Sequence, residues 1–184
     1  MDAKGSLLIN IEVRQEMQED YESVYEVVKK AFLTAEHTNF DEQNLVVRLR
    51  KSTAFIPELS LVAVLDNKIV GHILFAKIKI KNETEEWESL ILAPLSVLPE
   101  MQGKGIGTQM IVEGHKIAHG LGYGSVILVG HPAYYPRFGY VPASRCGITA
   151  PFDVPEEAFM VCEITVNGLH GVAGVVQFPE EFLL

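Results

Sequence analysis

The chain has 184 residues, 48% of them hydrophobic and 21% charged, the proportions of an ordinary globular protein long enough to bury a full core. Its formal charge of -9 and isoelectric point near 5.1 set the field of the whole molecule against polyanions, which argues against nucleic acid and anionic membrane as partners. No linker, repeat or low-complexity tract divides the sequence and no apolar run is long enough for a membrane span, so one domain over residues 1–184 is expected.

In chain order, MDAKGSLLINIEVR alternates as a strand does through Ile9, Ile11 and Val13. It lacks the charged, apolar and small-residue series of an export signal, so a cytoplasmic location is expected. Val24, Val27, Val28, Ala31 and Phe32 in DYESVYEVVKKAF fall at helical spacing, and Leu45, Val46 and Leu49 in DEQNLVVRLRK predict a second, shorter helix. SLVAVLDNKIVGHILFAKIKI predicts a hairpin turning at Asp66, Asn67 and Lys68. LILAPLSV is strand four. A helix then starts at QGKGIG, carries Met110, Ile111, Ala118 and Leu121 on one face, and stops near Gly120 and Gly122. SVILVG is strand five, and a strand, helix, strand unit with short joints implies parallel pairing of strands four and five through a right-handed crossover. The remainder predicts a short helix or turn and two or three antiparallel strands. The expected fold class is α/β, with a mixed, mostly antiparallel sheet and flanking helices.

Residues 102 to 107, QGKGIG, pose the chemical question. A P-loop is excluded because Gly105, not a hydroxyl residue, follows Lys104. A dinucleotide fingerprint fits poorly: the third glycine comes one residue early, four strands precede it, and no acid follows between Gly122 and Val129. What remains is either a glycine turn tightening an ordinary helix start, or a row of N–H groups at the positive end of a helix, suited to an anion such as pyrophosphate. Pro94, in the middle of strand four, lacks an N–H and points to an edge, bulge or opening there. Cys146 and Cys162 lie outside any C-x-x-C pattern and read as reduced, partly buried thiols.

Gln102, Gly105 and Gly107 match the Q/R-x-x-G-x-G/A signature between strand four and its helix, and YYPRFGY, residues 134 to 140, matches an aromatic-Tyr-x-x-x-Gly-aromatic segment after strand five. On these two blocks the chain resembles the GNAT superfamily of acetyl-CoA-dependent N-acetyltransferases. The surrounding words APLSVLPEMQGKGIG and GHPAYYPRFGYVPA look closest to its YhbS-like branch. The resemblance implies a GNAT-like sheet whose strands four and five splay apart, with the pantetheine arm of acetyl-CoA in the wedge. By matching positions, Leu95, Ser96 and Val97 would offer exposed backbone, the Val97 N–H would hold the oxyanion, and Gln102, Gly103, Lys104, Gly105, Ile106, Gly107 and Thr108 would cradle the pyrophosphate. Tyr135 would be the general acid to the thiolate, since a tyrosine with its ordinary pKa near ~10 is protonated at neutral pH. Tyr134 and Phe138 would pack beside the cofactor.

The implied reaction moves an acetyl group from acetyl-CoA to a primary amine of a small molecule or peptide by direct attack in a ternary complex, with no metal and with a homodimer allowed for. An acyl-CoA sensor without turnover and an N-acyltransferase using another acyl donor are the alternatives. The base is left open. Family members that acetylate histones carry a strand-four glutamate where this chain has Ile91, so Glu36, His37, Asp41, His72, Glu88 or water are the candidates, with His131 a further polar group after strand five. His115 and His119 stand one turn apart in HKIAH, but Lys116 replaces the glutamate of a zinc protease, and the pair reads as surface histidines near a helix end.

Overall fold

The computed structural model describes residues 10–33, 35 and 38–183. The chain opens with β1 (Glu12–Gln15), followed by α1 (Tyr21–Phe32) and α2 (Glu42–Leu49). Both helices bury most of the predicted stripe: Val24, Val27, Val28, Ala31, Val46 and Leu49 are in the core, with Phe32 and Leu45 half-buried against it. Ile9, the first residue of the predicted opening strand, lies outside the described residues.

Asp66 and Asn67, with φ of 48° and 61°, supply the left-handed pair that a tight hairpin requires. They join β2 (Phe55–Leu65) to β3 (Lys68–Lys81), and β3 turns into β4 (Glu86–Val97). β2 and β4 both begin earlier than the sequence pattern suggests. In β2, Pro57 and the register shift between Phe55 and Ser60 mask the first residues. In β4, Glu86 and Glu88 are exposed and pair in register with Lys81 and Lys79, so charge conceals a strand that is half solvated.

From β4 the chain passes through α3 (Ile106–Gly120) to β5 (Ser125–Val129), which lies parallel to β4 as expected. α3 buries Met110, Ile111 and Ala118, but Leu121 is 45% exposed because the helix has already ended. Gly114 allows this helix to lie against Phe75, whose ring would meet any Cβ placed there. After β5 come β6 (Val141–Pro142), β7 (Ile148–Thr149), β8 (Phe159–Glu163) and β9 (Gly174–Gln177). That is four strands where two or three were expected. β6 and β7 are too short to carry a period, and β7 runs parallel to β9 instead of antiparallel.

The sheet order is β1-β2-β3-β4-β5-β8-β6, with β9 added at the far end of β3. α1 and α2 pack on one face, against Leu74, Ala76 and Ile91, and α3 packs on the other, against Ile73, Phe75 and Leu90. Sheet, helices and crossover thus agree with the expected fold class. Among the described residues no helix is long and apolar enough to cross a membrane.

Candidate active site

The parallel pairing of β4 and β5 is short. Leu90 faces Val126 and Ile91 faces Ile127, and there it stops. The cause is in β4: Ile73 of β3 pairs with Leu95 while Phe75 pairs with Leu92, which leaves one extra residue on β4 at Ala93–Pro94. Such a bulge bends the strand and ends its pairing, and Pro94 stands where a ladder donor is not needed.

Beyond the bulge, backbone direction follows from alternation. The Leu98 N–H donates to the Val70 carbonyl at 2.9 Å, so residues 98 and 96 face β3, while 97 and 95 face the side that β5 has left. The Val97 carbonyl accepts from the Gln102 side-chain amide at 3.1 Å. The Val97 N–H and both backbone groups of Leu95 therefore point into the gap between the strands. Ser96, grouped with them from sequence, does not: its backbone faces β3, and its side chain is 2% exposed with an unpartnered Oγ.

The glycine turn closes one end of the gap. Gly103 and Gly105 have φ of 73° and 80°, a left-handed conformation that costs other residues about 1–2 kcal/mol. No side chain caps α3 at Gly105, so the N–H groups of its first turn have no partner within the helix. Gly107 has a different reason to lack a side chain: a Cβ there would lie 2.9 Å from the Tyr134 hydroxyl.

Together these parts enclose a cleft of about 530 Å³. Its walls include Leu95, Val97, Gln102, Gly103, Gly105, Ile106, Gly107, Thr108 and Tyr134, all named from sequence, and also Met101 and Arg137, which sequence reasoning missed. Arg137 was legible in principle: it stands three residues after Tyr134 in YYPRFGY, and in a single helical turn that spacing places one side chain over the other. Met101 had no comparable signal. Lys104 is exposed, with its Nζ 3.6 Å from the Met101 Sδ, and is not on the walls.

Tyr134 and Tyr135 belong to one short turn and serve different neighbours. The Tyr134 ring stands edge-on to Tyr135 at 5.1 Å and to Phe138 at 5.4 Å, with the Arg137 guanidinium 4.6 Å above it. The Tyr135 ring presses on Gly130, where β5 ends, and on Tyr140 at 5.7 Å. Burial, and then the neighbouring Tyr134, hold the Tyr135 proton well above the ordinary tyrosine range. Tyr134 lines the cleft, whereas Tyr135 and Phe138 are half-buried beside it.

The base candidates scatter. Glu36 and His37 lie outside the described residues. The Asp41 carboxyl is pulled below its usual range by Asn44 and then by Arg48, which it pairs at 2.8 Å. Glu88 is exposed on the half of β4 before the bulge, and Ile91 is 2% exposed in the core. His131 is exposed just after β5, and His119 is exposed at the end of α3. His115 is not a surface residue as expected from its spacing: its Nε2 meets the Tyr140 hydroxyl at 2.8 Å, and burial pushes it down to about 4.

His72 is fully buried in a polar chain. Ser60 Oγ donates to Glu16 at 2.7 Å, and Glu16 takes Arg50 at 2.6 Å and 3.1 Å. Having given its one proton to a carboxylate, Ser60 can only accept from His72 Nε2 at 3.1 Å. The ring is thus the Nε2–H tautomer, with Nδ1 a bare lone pair that has no partner. Burial, against the pull of Glu16, lowers its pKa to about 4, so it is neutral at pH 7.

The sequence matches the acetyltransferase (GNAT) domain family over residues 12–143. Among curated proteins it is 42% identical to the uncharacterized N-acetyltransferase YjhQ of Escherichia coli K12, over 63% of this chain and 65% of that one. It is 32% identical to the uncharacterized N-acetyltransferase YhbS of the same strain, over 67% of this chain and 74% of that one. The match to YjhQ thus spans slightly less than two thirds of that relative. Among solved structures, YhbS from Escherichia coli in complex with CoA superposes with a TM-score of 0.85 at 27% identity, covering 96% of this chain and 93% of that one. A GNAT family acetyltransferase from Brucella melitensis in complex with acetyl-CoA gives 0.77 at 29% identity, covering 95% and 99%. The parted strands, the uncapped glycine turn and the family match over most of the chain lead to one assignment: the chain belongs to the GNAT family of acetyltransferases.

Proposed function

We propose that the protein transfers an acetyl group from acetyl-CoA to a primary amine of a small molecule or a peptide, by direct attack while both are bound. The observation that carries this reading is the loss of β4–β5 pairing after Ile91, which leaves the Leu95 and Val97 backbone free beside the open N-terminus of α3. The cleft suits the cofactor. A ribbon of free N–H and C=O groups matches the amides of a pantetheine arm, and unpaired N–H groups at a helix start match a pyrophosphate. Gly107 keeps clear the space that a side chain would fill. Relatives of this chain crystallised with CoA and with acetyl-CoA favour the same ligand.

In this reading acetyl-CoA supplies the activated acyl group, and the chain supplies position and charge. The Val97 N–H would hold the carbonyl oxygen as negative charge collects on it, a fixed donor in a site partly shielded from water. Tyr135, which keeps its proton, would hand it to the departing thiolate and recover it from solvent. Deprotonating an amine of pKa near 10.4 costs roughly 4 to 5 kcal/mol at pH 7, so the rate should rise with pH whether water or a side chain takes the proton. The acidic charge of the molecule favours encounter with a cationic acceptor.

The test is a screen of amines, amino acids, aminoglycosides, polyamines and peptide N-termini for thiol release from acetyl-CoA. Turnover with one amine class supports the transferase reading. Tight acetyl-CoA binding with no turnover on any of them would leave a sensor.

A further inference from the structure

We propose that Arg137 forms a second, cationic jaw of the cofactor cleft and holds the pyrophosphate of CoA against the glycine turn; this rests on the acetyl-CoA reading of that cleft. Three observations lead there. First, the molecule carries a formal charge of -9, so a polyanionic cofactor needs a local cation to offset the overall field. Among the described residues lining the cleft, Arg137 is the only cation, and no carboxylate lies on the walls. Second, the two longest polar side chains of the turn are committed or displaced, and Thr108, which lines the cleft, carries no charge. Gln102 gives its amide to the Val97 carbonyl, and Lys104 lies off the walls beside the Met101 sulfur.

Third, Arg137 is held in place without being neutralised. Its Nε donates to the Tyr134 carbonyl at 2.9 Å and its guanidinium lies 4.6 Å from the centre of the Tyr134 ring. Among the described residues no carboxylate pairs with its terminal nitrogens. The hydroxyl of that same Tyr134 ring sits over Gly107, in the first turn of α3. The ring therefore fixes the guanidinium relative to the helix start, as one wall facing the other. Two phosphate oxygens can then be met from both sides: by backbone N–H groups of the glycine turn, and by the planar fork of an arginine tethered through its Nε.

The test compares wild type with Arg137→Ala and Arg137→Lys by isothermal titration, using CoA and 3′-dephospho-CoA at several salt concentrations. Far-UV circular dichroism and the urea midpoint check that each variant folds. Loss of a charge-assisted contact should weaken CoA binding by roughly 10- to 100-fold in the alanine variant. The same factor is expected for 3′-dephospho-CoA, because the pyrophosphate is common to both. The salt dependence of binding should become shallower, and lysine should recover part of the loss.

Alanine binding CoA as wild type does, an unchanged salt dependence, or a lysine variant as weak as alanine would each overturn the proposal. A loss confined to CoA would move the contact to the 3′-phosphate and overturn the pyrophosphate assignment. Failure of the wild type itself to bind CoA would be a different result, sinking the cofactor reading before Arg137 is tested.

Discussion

Tyr134 and Tyr135 are adjacent in sequence, yet one lines the cleft beside Gly107 and the other packs on Gly130 at the end of β5. Tyr135 is the proposed acid, and two single substitutions separate the roles. Tyr135→Phe keeps the ring on Gly130 and Tyr140 and removes only the proton, so kcat should fall by about one to two decades, the low end for general acid catalysis, with cofactor affinity nearly unchanged. Tyr134→Phe should leave kcat close to wild type. Paired pH–rate profiles check this, and equal small losses in both would remove Tyr135 from the chemistry. A second residue-scale outcome concerns Gly107, where a Cβ would lie 2.9 Å from the Tyr134 hydroxyl. Gly107→Ala should push that ring aside and raise the KM for acetyl-CoA while the fold persists, measured by steady-state kinetics beside circular dichroism. An unchanged KM would mean the ring has no part in holding the cofactor.

The working element is β4, half paired and half parted. Its parting was legible in Pro94 alone, because a residue without an N–H has few places in a strand, and the bulge at Ala93–Pro94 is one of them. The glycine turn was legible too, since QGKGIG combines left-handed positions with a helix start. What sequence could not supply was direction. Ser96 sits between two cleft residues and faces the other way, a consequence of strand alternation that needs the β3 register to fix it. Likewise His115 reads as a surface residue by spacing, and only the fold brings Tyr140 from beyond β5 to its Nε2. At this scale the contact between α3 and the sheet gives a further test. Gly114→Leu would drive a side chain into the Phe75 ring, an overpacking that should cost about 1–3 kcal/mol or more in urea denaturation. A variant as stable as wild type would show that α3 can shift off β3 freely.

At the scale of the whole molecule, two buried histidines make stability depend on acid. His72 and His115 both have folded-state pKa values near 4, below the ordinary value of about 6.5. The unfolded chain therefore binds more protons over that interval, and stability is fully present above pH 6.5 and lost as pH falls toward 4. For the fully buried His72 the loss is about 3 kcal/mol. Urea midpoints measured from pH 7 to pH 4 should fall, and His72→Leu should flatten part of that slope. A slope unaffected by the substitution would mean the ring is solvated or already charged. Breaking the Glu16–Arg50 pair in the same chain by Glu16→Gln should cost more at neutral pH, about 3–5 kcal/mol, since it strands a buried guanidinium.

Whether the parted strands and the uncapped glycine turn form one acyl-CoA site can be measured without knowing the acceptor. Isothermal titration of acetyl-CoA into wild type and Gly105→Val makes the comparison. Gly105 has open space around it and φ of 80°, so valine distorts the turn and not the core. Wild type should bind and gain about 2.7 kcal/mol of stability at a hundredfold excess over Kd. The valine variant should keep its circular dichroism spectrum and lose both effects. No heat from wild type at millimolar acetyl-CoA, or binding that survives undiminished in Gly105→Val, would contradict the account.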